Sequence, residues 1–132
     1  MRKILVLLAG VITAASLISG GGVATADTLT VQGCYDNAKP YNKYMDEAYA
    51  PSGFPRNWFT TTSNCGDINI LTAAQRNVKV CFLPSQGGMS CQLKWTLTKP
   101  SAWTVVATGV KDGTRFGFQF STAGANSGHY AA

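Results

Sequence analysis

Trp103-Thr-Val-Val-Ala-Thr-Gly-Val-Lys111 and Thr114-Arg-Phe-Gly-Phe-Gln-Phe-Ser121, separated by Asp112-Gly113, form the most legible stretch of the chain. Both runs alternate with the period of two that a half-buried strand requires, and Asp-Gly is a favoured dipeptide for a two-residue type I′ hairpin turn. Such a turn sets Gly109 opposite Phe116, Ala107 opposite Phe118 and Val105 opposite Phe120. One face of the ribbon then carries three phenylalanines and reads as core. The other carries Thr104, Val106, Thr108, Val110, Arg115, Gly117, Gln119 and Ser121, and reads as solvated surface.

Working outward, the same period recurs in Asn77–Leu83, where Val78, Val80 and Phe82 share a face, and in Gln92–Leu97, where Leu93, Trp95 and Leu97 do. Asp67–Leu71, Trp58–Ser63 and Thr28–Val31 supply further strand-like runs. Trp95 and Trp103 fall on faces assigned to the core. Residues 35–57 resist this pattern. Tyr41, Tyr44, Met45, Ala48 and Tyr49 have helical spacing after Pro40, but the segment spans barely two turns and reads better as a loop over the core. The expected fold is all-β: a small antiparallel β-sandwich or partly closed barrel of about six to seven strands with two disulfides.

The amino-terminal residues bound the rest. Met1-Arg2-Lys3, an apolar run from Ile4 to Ile18 and Ala24-Thr25-Ala26 have the order of a secretory signal peptide, with an apolar segment too short for an ordinary spanning helix. Residues 1–26 are therefore read as a signal peptide and residues 27–132 as one secreted domain. Without Arg2 and Lys3, nine of the 11 basic residues remain against six acidic ones, with no basic run of the kind that marks a nucleic-acid interface. No later stretch is long and apolar enough to span a bilayer. A monomer released outside the cell is expected.

Cys34, Cys65, Cys81 and Cys91 all lie in the exported part, where disulfides are the default. Their intervals are too long for the close ligand pairs of a zinc site, and no metal or cofactor is expected. Cys81 and Cys91 flank the loop containing Pro84 to Met89, which favours Cys81–Cys91 with Cys34–Cys65. The objection is parity: Cys91 alternates in step with Leu93 and Trp95, so the bridge requires a bulge if those two face the core. A rival pairing joins Cys65 to Cys81 and Cys34 to Cys91.

The supply of catalytic groups is thin. His129 is the single histidine and sits in a terminal stretch expected to fray. Glu47 is the one glutamate, and its adjacency to Asp46 does not make the two converge on a substrate. Asn64, Asp67 and Asn69 follow no twelve-residue calcium pattern and read as strand-edge polar groups. No catalytic residue is assigned. Aromatic rings are the remaining functional material, and Tyr41, Tyr44, Tyr49, Trp58 and Phe59 are the candidate binding residues, able to stack on sugars or to anchor a protein.

Asn64-Cys65-Gly66-Asp67-Ile68-Asn69-Ile70, Arg76–Phe82, Trp103–Thr108 and Asp112-Gly113-Thr114 resemble segments of small two-disulfide secreted proteins of streptomycetes and their relatives. The likeness covers most of residues 57–121 and implies a one-domain extracellular protein, with no site attached. The cysteine intervals differ from those of the subtilisin and amylase inhibitors secreted by the same bacteria. The function expected is non-catalytic extracellular binding of a polysaccharide, a cell surface or an extracellular protein through the aromatic segment. The alternative is inhibition of a secreted protease or glycosidase through the Pro84–Ser90 loop.

Overall fold

Strands rich in Ile, Val and Phe can hide their apolar faces only against another sheet, and two antiparallel sheets packed face to face result. The structure is a computed structural model describing residues 33–132, so the expected signal segment and the run at Thr28–Val31 lie outside the described residues. Among the described residues ten strands follow in chain order: β1 (Lys39–Lys43), β2 (Tyr49–Ala50), β3 (Phe59–Thr60), β4 (Ile68–Thr72), β5 (Asn77–Phe82), β6 (Ser90–Cys91), β7 (Thr96–Leu97), β8 (Trp103–Ala107), β9 (Arg115–Phe120) and β10 (Asn126–Ala131). The first sheet has the order β1-β10-β4-β8. The second is built on the pair β9-β5, with β2 and β3 along the far edge of β9 and β6 and β7 along the far edge of β5. Both outer edges of this sheet are thus broken into two-residue pieces, which leaves little continuous backbone for another chain to pair with. The sheets form a sandwich, not a closed barrel.

Phe116, Phe118 and Phe120 are buried, as their alternation requires, and Val78, Val80, Ile68, Ile70, Tyr41 and Tyr130 close the core around them. The hairpin expected at Asp112-Gly113 does not form. β8 pairs with β4 in the first sheet, and β9 pairs with β5 in the second. The chain leaves β8 at Ala107 and passes through Gly109, whose φ of 61° is open to glycine, before crossing to the other sheet. Thr61 completes the turn in place of a partner strand. Its hydroxyl accepts from the Thr114 N–H (2.9 Å) and donates to the Lys111 carbonyl (2.6 Å), while its carbonyl accepts from the Gly113 N–H. The expected face of β8 is corrected as well. Ile68 opposes Ala107 and Asn69 opposes Val105, so Val106 is the extra residue of a bulge. Val106 is buried and Val105 is exposed.

Residues 35–57 are neither a helix nor a plain loop, because β1 and β2 lie within them. Tyr41 and Lys43 point inward from β1, and Pro40 is tolerated because β1 is an edge strand. The terminal stretch expected to fray is β10, placed between β1 and β4. His129 is exposed on this strand, whereas Tyr130 and Ala131 are buried.

Both preferred bridges are present, Cys34–Cys65 and Cys81–Cys91. Cys34 belongs to one helical turn at residues 33–36 that lies over the outside of the first sheet, with Tyr35 stacked on Trp103 at 4.8 Å. Trp103 is thus half-buried, although in this outer cluster and not between the sheets. Cys81 and Cys91 are direct partners in the ladder, so no bulge is needed. The parity objection dissolves because Leu93, Trp95 and Leu97 face outward along with Cys91. All three are exposed, Leu93 at 93%.

Candidate functional site

The inverted segment 92–98 sets up the most unusual surface of the molecule. Of its polar residues, Gln92 and Thr98 turn inward while Lys94 stays exposed. Gln92 accepts from the Val80 N–H through Oε1 (2.9 Å) and donates through Nε2 to the Val106 carbonyl (2.9 Å), so one amide ties the two sheets where the strand is interrupted. Buried Thr98 shares a hydrogen bond with buried Thr72 (2.7 Å) and accepts from the Arg76 N–H. With Gln92 and Thr98 bonded inside, Leu93, Trp95 and Leu97 are left outside.

The strand registers place other side chains on the same outer face. Tyr49 opposes Gln119 across β2 and β9, and Gln119 opposes Lys79 across β9 and β5. Gln119 Nε2 lies 3.5 Å from the Tyr49 hydroxyl, and the Lys79 ammonium sits 4.5 Å from the centre of the Trp95 ring. A transverse row Tyr49, Gln119, Lys79, Trp95 results. Four residues along β9 the pattern returns, with the Arg115 guanidinium 4.9 Å from the centre of the Trp58 ring. Arg115 also donates to the Pro84 carbonyl (3.3 Å), which ties this end to the β5–β6 loop.

Between the two rows the same outer face continues. It carries the Cys81–Cys91 bridge and Gly117, which is covered by the Phe54 ring. A Cβ at Gly117 would lie 2.5 Å from that ring and 2.9 Å from the Ala50 carbonyl oxygen, so the position admits only glycine while Phe54 lies there. Phe54 is held against Tyr49, with ring centres 5.4 Å apart. The strands of this sheet include Lys79 and Arg115 and contain no Asp or Glu. Chemically the face offers two tryptophan rings, each with its own cation. It can stack on flat apolar ligand surfaces and attract negative charge.

The five aromatic residues singled out in the sequence do not form one site. Trp58 is exposed and Tyr49 half-buried, both on the face just described. Tyr44 is 61% exposed but lies in the β1–β2 connection, apart from the row. Tyr41 and Phe59 are core residues: Tyr41 packs against Phe118 and Phe120, and the Phe59 ring centre lies 4.1 Å from that of Tyr130. Neither presents a ring face to a ligand. Lys79, Trp95, Arg115 and Gln119 were missed, because strand alternation assigned Trp95 to the core and Gln119 to an unremarkable solvated face.

Glu47 has a structural place. Its Oε1 accepts from the Ser52 hydroxyl (2.8 Å) and the Gly53 N–H (3.2 Å), fixing the excursion between β2 and β3. Asn69 is buried and donates to the carbonyls of Ala131 (3.1 Å) and Asp67 (3.3 Å). Among the described residues no group of three or more His, Cys, Asp or Glu side chains is placed to hold a metal ion, and no helix is long and apolar enough to cross a membrane. Compared with known proteins, the chain matches no family model, no curated protein and no solved structure.

Proposed function

We propose that this protein is a non-catalytic extracellular binding module that takes an acidic cell-surface polysaccharide along the outer face of its second sheet. The observation that carries the reading is the inversion at 92–98, which holds Trp95 outward beside Lys79 while Gln92 and Thr98 are spent inside. A free tryptophan on a rigid sheet costs little entropy to immobilise, and stacking on the apolar face of a sugar recovers the exposed area. Lys79 and Arg115 supply attraction for carboxylate or phosphate substituents along the chain. Export through the amino-terminal signal fits a domain with both disulfides formed.

Pull-down on insoluble cell-wall polysaccharides tests this. Trp95→Ala and Trp58→Ala should each weaken retention about tenfold, equivalent to about 1.4 kcal/mol, with the melting temperature little changed. Retention of wild-type protein on acidic polymers should fall with added salt, as expected for contacts between exposed charges. Equal retention of both tryptophan variants would refute the assignment.

A second reading rests on the β5–β6 loop. Its residues from Pro84 to Ser90 are exposed, its base is closed by Cys81–Cys91, and the Leu83 N–H bonds the Arg115 carbonyl (2.9 Å). A loop held in this way is preorganised to enter the cleft of a secreted enzyme. In that case Met89→Ala or Gln86→Ala removes inhibition in a protease and glycosidase panel, and the tryptophan variants do not.

A further inference from the structure

Lys43 is only 2% exposed, although a buried ammonium is costly unless it meets opposite charge or a full set of acceptors. Its Nζ donates to the main-chain oxygens of Gly124 and Tyr44 and lies 5.8 Å from the centre of the Phe120 ring. An ammonium has three N–H donors, and these two carbonyls take two of them. Lys43 faces Asn126 directly across β1 and β10, which sets both side chains on the same side of the sheet as Tyr41.

Asn126 adds a second unanswered donor. The Tyr41 hydroxyl donates to its Oδ1 (3.3 Å), which turns the other end of the amide away, and Nδ2 is buried with no hydrogen-bond partner among the described residues. Burial holds the Tyr41 phenol in its protonated form, against the opposing pull of the nearby Arg76 charge. Arg76 itself donates to the Gln75 carbonyl (3.0 Å) and comes from the β4–β5 connection. These elements enclose an open cleft of about 370 Å³ lined by Asn42, Lys43, Tyr44, Arg76, Asn126 and Ser127, with alanines along its sides. The volume lies within the range of small-ligand sites. The lining holds two cations, an unpartnered amide N–H and a serine hydroxyl, and it includes no carboxylate.

We infer that this cleft is an oxyanion-binding site, taking a carboxylate or phosphate group of a small ligand through Lys43, Arg76 and Asn126. The oxyanion offsets the buried charge of Lys43, which meets two carbonyls and no carboxylate among the described residues, and accepts from the Asn126 amide, and hydrogen bonds between charged partners are the strong ones. The site is separate from the outer face of the second sheet and does not depend on the function proposed for it.

The test is a titration of 15N-labelled protein with inorganic phosphate and, in parallel, with acetate, using chloride at matched ionic strength as the reference. Saturable shifts confined to the Asn126 side-chain amide and the Arg76 Nε–H are expected, and the anion that gives them identifies the source. Arg76→Gln and Asn126→Leu should each weaken the affinity at least tenfold, whereas Lys99→Gln leaves it unchanged. Arg76 and Asn126 are varied because neither is as deeply buried as Lys43. Where a variant loses its dispersed spectrum the other decides, and an increase in the wild-type melting temperature on adding the anion supplies a second readout. The inference is overturned if no saturable shift occurs with either anion, if shifts spread equally over exposed lysines such as Lys99 and Lys111, or if the folded variants bind as the wild type does.

Discussion

At Thr61 a single side chain does the hydrogen bonding that a partner strand would have done. Thr61→Val keeps the shape but strands the Thr114 N–H, while the Lys111 carbonyl keeps only its bond from the Thr114 hydroxyl, and should cost about 1–3 kcal/mol in chemical denaturation. Phe118→Ala should cost more, about 3–5 kcal/mol, because the ring is fully buried against Phe59, Tyr41 and Tyr130. An unchanged denaturation midpoint for either variant would contradict its placement. Phe118 was legible in the sequence, since its burial follows from alternation along its own strand. Thr61 was not. Asp112-Gly113 carries the local signal of a hairpin, and only contacts 50 or more residues apart in the chain show that the turn joins two sheets. Of the binding candidates, chosen for their aromatic rings, Trp58 and Tyr44 are exposed, while Tyr41 and Phe59 fell to the core because aromatic identity alone does not say which face of a strand a ring occupies.

Among the elements, β10 depends most on its neighbours. Asn126-Ser-Gly-His-Tyr-Ala131 has weak strand propensity and no apolar alternation, so its extended form is imposed by pairing on both sides. Gly128 shows how tightly it is held: a Cβ there would fall 2.0 Å from the Leu71 carbonyl oxygen and 3.0 Å from the Tyr41 ring. Because the nearest obstacle is backbone, Gly128→Ala should destabilise by about 1–3 kcal/mol or more, and the loss should appear as a lowered melting temperature. An exposed glycine with nothing near it, such as Gly88, is the control. Segment 92–97 erred in the other direction. Its alternation is clear, yet period alone does not say which of the two faces is buried, and the inward amide of Gln92 reverses the natural assignment.

For the molecule as a whole, alkaline pH should be the weak side of its stability. Burial raises the pKa of both Tyr41 and Tyr130 above the ordinary tyrosine value, so the unfolded chain ionises first. The stability this represents is fully present below about pH 10 and is lost as pH climbs from there through the folded-state values. Melting temperatures should therefore decline above about pH 10, and Tyr41→Phe should flatten the decline. A slope unaffected by that substitution would mean that another group controls it. The chain changes sheets repeatedly, from β1 to β2, β3 to β4, β4 to β5, β7 to β8, β8 to β9 and β9 to β10, so most pairings join distant segments and folding should be slow for a domain of this size. The position of β10 sharpens this point. β10 follows the other described strands in the chain yet fills the gap between two much earlier ones, and until it is in place β1 and β4 stand apart with their facing hydrogen-bonding rows vacant. β10 of a second copy fits that slot in the same register, so refolding at high protein concentration should yield strand-exchanged dimers, which size-exclusion chromatography would detect.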